Sequence, residues 1–223
     1  MKQRMRVSRV RLGTDDYRVL QPDRPPRQAF LFDNDRAIDM HVDREAATAL
    51  TMAWGLAARS RHSLIYLPMR ANTPPRGLAD DHSTFEALDL VLVQHSVQFP
   101  ASRWRAVRNK LGAGHPHTAT LPDDTFPEKA AISYEGIWNR ENHDHLHFDL
   151  AARTLFVVGS PEAFRRTGGS AIRSLVTEAP AYIAREPSGH FCAELNSGRW
   201  PLIPGPRHCA GLLHIEYNRT WTI

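Results

Sequence analysis

Apolar and polar residues alternate at several places along the chain, and each alternation predicts a strand with one buried face. Ile38, Met40 and Val42 interleave with Asp39 and His41. Ahead of them, Ala29-Phe30-Leu31-Phe32 and the turn residues Asp33-Asn34-Asp35 complete a hairpin over 29–42. The period then changes. Ala46, Ala49, Leu50, Ala53, Leu56 and Ala57 recur at helical spacing, with Asp43 as cap and Glu45 in the first turn, which predicts a helix over 44–60. Leu64-Ile65-Tyr66-Leu67 and Leu88-Asp89-Leu90-Val91-Leu92-Val93 predict buried strands. Trp104, Val107 and Leu111 form the stripe of a helix that begins at Pro100 and stops at Gly112.

Further along, a three-strand meander is expected at 130–138, 143–150 and 154–158, since the intervening segments are short. Gly159-Ser160-Pro161 opens a helix, a second runs over 170–184 with Pro180 distorting it, and strands near 190–195 and 211–217 close the chain. Residues 70–83 and 112–129 are rich in Pro, Gly and Asp and predict long loops. The expected fold is α+β, with mixed α/β as the variant: a mostly antiparallel sheet with two to three helices packed on one face. It forms one domain over 1–223, with the 70–83 loop setting off an N-terminal segment.

Composition narrows the class. The 223 residues are 42% hydrophobic and 23% charged, ordinary for a globular chain that folds on its own core. No apolar run reaches the roughly 18 residues of a membrane helix, and the N-terminus lacks the apolar core of a secretory signal. A cytoplasmic protein without a membrane partner is expected. The two cysteines, Cys192 and Cys209, have no CxxC spacing and read as reduced thiols. All but three of the 28 basic residues are arginine. Lys2, Arg4, Arg6, Arg9 and Arg11, with the arginines of 103–110, give a nucleic-acid footprint as a subordinate reading.

The chemically unusual stretch is Glu141-Asn142-His143-Asp144-His145-Leu146-His147-Phe148-Asp149-Leu150. Extended, it places Glu141, His143, His145, His147 and Asp149 on one face and Leu146, Phe148 and Leu150 on the other. Neighbouring imidazoles on one face suit a divalent transition metal such as zinc, with an open position for water. The leading expectation is therefore a metal-dependent hydrolase-type enzyme acting on a small-molecule substrate. His143, His145 and His147 are its metal ligands, and Glu141 and Asp149 its orienting or basic groups. The alternative is a non-catalytic, immunity-type protein that uses the row to contact a protein partner.

Two resemblances fail on particular residues. The His-x-His pattern resembles the cupin motif, but the expected Glu does not follow and the two helices do not suit an all-β barrel. The stretch Leu175–Ala179 with Tyr182 and Trp200 resembles the catalytic segment of ribosome-inactivating N-glycosidases, but Ala181 stands where their arginine belongs.

Overall fold

The computed structural model describes residues 1–34, 37–78, 85–135, 143–197 and 211–221. Glu141, Gly198, Trp200 and Cys209, and the end of the 70–83 loop, lie outside the described residues.

Two sheets and two helical layers make an α+β fold. The larger sheet has seven strands in the order β8-β1-β2-β5-β7-β10-β9. In chain order these are β1 (Lys2–Leu12), β2 (Asp15–Pro22), β5 (Ser63–Leu67), β7 (Asp89–Gln94), β8 (His115–Thr120), β9 (Leu146–Leu150) and β10 (Thr154–Gly159). The smaller sheet has the order β11-β12-β4-β3-β6. It comprises β3 (Ala29–Asp33), β4 (Ile38–Val42), β6 (Glu86–Ala87), β11 (Cys192–Asn196) and β12 (Leu212–Tyr217). Most pairings are antiparallel; β2–β5, β7–β10 and β4–β12 are parallel.

Helix α1 (Arg44–Arg59) forms where the 3.6-residue period was read. The Asp43 carboxylate accepts from the Ala46 N–H at 2.7 Å, and Glu45 and Arg59 sit at the ends their charges favour. Its apolar face lies on the large sheet and on α3 (Pro161–Thr167), where the Trp54 indole N–H donates to Thr167 Oγ1. Ser160 caps α3, with Pro161 in its first turn. A π-turn over Gly168–Ile172 then leads into α4 (Ser174–Thr177) and α5 (Ala179–Arg185). The helix expected over 170–184 is thus broken just before Pro180, which cannot donate to an existing turn. One core joins these helices to the inner face of the small sheet and to one face of the large sheet. The opposite face of the large sheet packs Val19, Leu64, Tyr66, Val91 and Phe156 against Trp104 and Val107 of α2 (Trp104–Asn109). That helix lies on the other side of the sheet from α1, so the helices do not all share one face.

Other differences are local. Residues 129–131 form a 3₁₀ turn and 132–135 no strand, which reduces the described part of the expected meander to the β9–β10 hairpin. Residues 115–120, inside the expected 112–129 loop, form β8 at the sheet edge, where every side chain except Ala119 is exposed and no apolar pattern announces the strand. The long β1–β2 hairpin was read only as a basic stretch. Among the described residues no helix is long and apolar enough to cross a membrane.

Buried Asp89 pins the large sheet to its loops. Its carboxylate accepts from the backbone N–H groups of Met69 (3.0 Å) and Arg70 (3.1 Å), from the Tyr66 hydroxyl (3.0 Å) and from the Arg108 guanidinium (3.3 Å). Arg70 Nε lies 3.4 Å away. This network positions α2 and the chain after β5.

Candidate metal centre on the outer face of the small sheet

Side chains alternate across a strand, so the small sheet turns Ile38, Met40, Val42, Leu213, Ile215, Ala193 and Leu195 into the core. The intervening residues face outward, and the register aligns them in two rows. One row runs Glu194, His214, Asp39 and Phe32; the other runs Cys192, Glu216, His41 and Phe30. Carboxylates and imidazoles therefore alternate across neighbouring strands. Phe32 closes one row, stacked on Phe85 at 4.2 Å and parallel to the His41 ring at 6.0 Å.

His190 precedes β11 and folds onto this face. Its ring stacks on His214 at 5.2 Å, and the two Nε2 atoms are 3.2 Å apart. A ligand atom from each of His190, Cys192 and His214 lies within 4.8 Å of the other two.

The hydrogen bonds assign the tautomers. Asp39 Oδ1 lies 2.9 Å from His214 Nδ1. A carboxylate only accepts, so Nδ1 carries the proton and Nε2 of the neutral ring presents a lone pair. Asn34 Nδ2 donates to the other oxygen of Asp39 and holds it in place. Glu216 Oε2 stands 3.6 Å from His190 Nδ1, so a carboxylate backs this ring as well. His41 takes a different part. Asn218 Nδ2 donates to its Nδ1 at 2.9 Å, which leaves Nε2 as the N–H. Burial lowers the His41 pKa, against the opposing pull of Glu216 and Asp39, and favours a neutral ring. The Cys192 thiol is pushed up, first by burial and then by Glu194 and Glu216. Without a cation it is a thiol, not an activated nucleophile.

This geometry suits a cation. Two nitrogens on one tetrahedral zinc, each at about 2.0–2.1 Å, are about 3.3 Å apart. The observed Nε2–Nε2 separation is 3.2 Å. Tetrahedral N–Zn–S geometry places nitrogen and sulfur about 3.6 Å apart, and Cys192 Sγ lies within 4.8 Å of a ligand nitrogen of each histidine. Carboxylates on the far nitrogens of ligating histidines are the usual outer shell of such a site. A cation would also reverse the electrostatics that hold the thiol protonated. His190 is half exposed, which leaves the site open to solvent.

The residues singled out in sequence are placed elsewhere. His143 and His145 precede β9 and are not part of a strand, His143 being exposed and His145 half-buried. His147 and Asp149 do share the outward face of β9, with Leu146 and Phe148 buried on the other. Among the described residues, however, these side chains join no three-residue cluster of metal-ligand atoms. β9 meets the small sheet at the Leu146–Ser197 bridge, roughly 16 Å along the strand direction from Cys192. The clustered residues had a signal of their own. Asp39 and His41, and likewise His214 and Glu216, alternate with apolar neighbours, which marked them as outward-facing pairs. No rule of local sequence pairs β4 with β12.

Compared with known protein families, with curated proteins and with solved structures, the chain matches none.

Proposed function

We propose that this protein is a metal-dependent enzyme of the hydrolase type, with its metal held by His190, His214 and Cys192 rather than by the His143/His145/His147 row. The observation that carries the reading is the pair of imidazole nitrogens 3.2 Å apart, each ring backed by a carboxylate. Two imidazoles and a thiolate select zinc or a similar borderline metal over magnesium or calcium. Three protein ligands leave a fourth position for water, and a bound divalent ion makes that water acidic enough to act as a nucleophile near neutral pH. Asp39 and Glu216 orient the ligand rings. Glu194, exposed on the same face two residues from Cys192 and in register with His214, is the carboxylate this reading assigns as proton acceptor. His41, neutral and hydrogen-bonded to Asn218, fills the row without adding charge.

The test uses the full chain purified without a histidine tag. Metal content is measured by mass spectrometry, and hydrolysis of p-nitrophenyl acetate and p-nitrophenyl phosphate is followed before and after chelation. One equivalent of zinc, with turnover that falls on chelation and returns with zinc, supports the proposal. A metal-free protein that takes up no zinc overturns it, and zinc uptake without metal-dependent turnover overturns the hydrolase assignment.

A further inference from the structure

Strand β1 divides its basic residues between the two faces of the large sheet. Lys2, Arg4 and Arg6 alternate with Met5 and Val7 and fall on the α2 side, where Arg6 is bound to Asp23 at 2.6 Å. Arg9 and Arg11 fall on the other side with Met5 and Val7. The register with β2 places Arg18 directly opposite Arg9, and the register with β8 places His115 beside Val7 and His117 beside Met5. Arg9, Arg11, Arg18, His115 and His117 are all exposed. Helix α1 ends over Gln94, which donates to the carbonyls of Ala57 and Ala58, and leaves this corner of the sheet uncovered.

Like charges directly opposite on neighbouring strands destabilise a sheet. Arg9 and Arg18 nevertheless face each other, and among the described residues no carboxylate comes within 4.0 Å of Arg9, Arg11 or Arg18. Asp16 lies opposite Arg11 on the same face. On the opposite face, Arg103, which precedes α2, is paired with Asp15, and Arg108 of α2 is paired with Asp89. The exposed corner therefore carries three arginines against one carboxylate and is net cationic. The backbone positions that bear its arginines are spaced about 5 Å across the strands and about 7 Å along β1.

We infer that this face docks the phosphate backbone of double-stranded nucleic acid. Guanidinium forks match phosphate oxygens and stay charged at any physiological pH. No Phe, Tyr or Trp ring stands among these exposed residues to stack an unpaired base, the only rings being the smaller imidazoles of His115 and His117, and this favours duplex over single strand. The exposed residues described at this corner all stand on strands β1, β2 and β8, with no helix among them to enter a groove, so the contact is independent of base sequence. This inference does not rest on the metal centre.

The test is the anisotropy of a fluorescein-labelled 20-base-pair duplex titrated with the full chain at 50–200 mM salt, beside the matching single strand and heparin. Three arginine–phosphate contacts give a slope of log K against log salt of about −2.7, so affinity falls about 40-fold over that range. The Arg9→Gln/Arg18→Gln variant should bind the duplex more weakly, with a slope of about −0.9 and a fall of only about 3.5-fold. Its Tm should be unchanged or raised, since a repulsive pair is removed. Arg105→Gln, on the opposite face, should bind as the parent does. The inference is overturned by no duplex binding at 50 mM salt, by an unchanged slope in the double variant, or by tighter binding to the single strand or to heparin alone.

Discussion

Replacing Asp39 by alanine tests the metal centre from behind its ligands. The carboxylate fixes His214 through the 2.9 Å contact to Nδ1, and it is itself held by Asn34. Without it the ring is free to rotate and to carry its proton on Nε2, the atom that must offer a lone pair to the ion. Losses of outer-shell partners of this kind weaken metal binding about 10–100-fold, or about 1.4–2.7 kcal/mol. Both ligand rings have a carboxylate behind them, but the Glu216 contact is longer, 3.6 Å against 2.9 Å. Asp39→Ala should therefore cost more than Glu216→Gln. Competition for zinc against a chromophoric chelator reads the affinity, and urea unfolding of the metal-free proteins checks that the sheet is intact. A folded Asp39→Ala protein that binds zinc within twofold of the parent would refute the assigned role of His214.

Two predictions concern the frame around Asp89. Asp89→Ala leaves two backbone N–H groups without their acceptor and removes the counter-charge of Arg108, which keeps only the neutral acceptors Ala152 O and Thr154 Oγ1, and should destabilise the protein by about 3–5 kcal/mol in urea unfolding. The lower end is expected, because Arg70 keeps partial access to water. Tyr66 supplies a pH dependence. Burial, then the charge and hydrogen bond of Asp89, raise its hydroxyl pKa above the ordinary value near 10. The folded state holds a proton that the unfolded state releases, so this contribution is full below about pH 10 and is lost as the pH rises through the folded-state pKa. Unfolding free energies between pH 8 and 11 should decline more shallowly in Tyr66→Phe than in the parent; equal slopes would contradict the assignment.

How much of this was legible in the sequence depended on whether the determining contacts were local. The Asp43 cap, the Ser160-Pro161 start, the alternation at 38–42 and the strand near 211–217 are decided by neighbours in the chain, and each formed where it was expected. β8 was missed because an edge strand with exposed side chains needs no apolar period. β1 was missed because its charges switch face along the strand, Lys2, Arg4 and Arg6 on one side and Arg9 and Arg11 on the other, so neither face reads as continuously apolar. The histidine row at 143–147 drew attention because its residues are contiguous. The cluster that the fold gathers is assembled across 175 residues, from Asp39 to His214, through the parallel pairing of β4 with β12. Residue types and outward orientation were readable beforehand; adjacency was not.

The central claim is most directly tested by titrating the metal-free protein with cobalt(II) and recording its absorption spectrum. Binding at His190, His214 and Cys192 should give, at one equivalent, the intense visible bands of tetrahedral cobalt together with a near-ultraviolet thiolate charge-transfer band. Cys192→Ser should lose the charge-transfer band, and His214→Ala should lose the stoichiometric binding. A weak octahedral spectrum, or a thiolate band that survives in Cys192→Ser, would contradict the account.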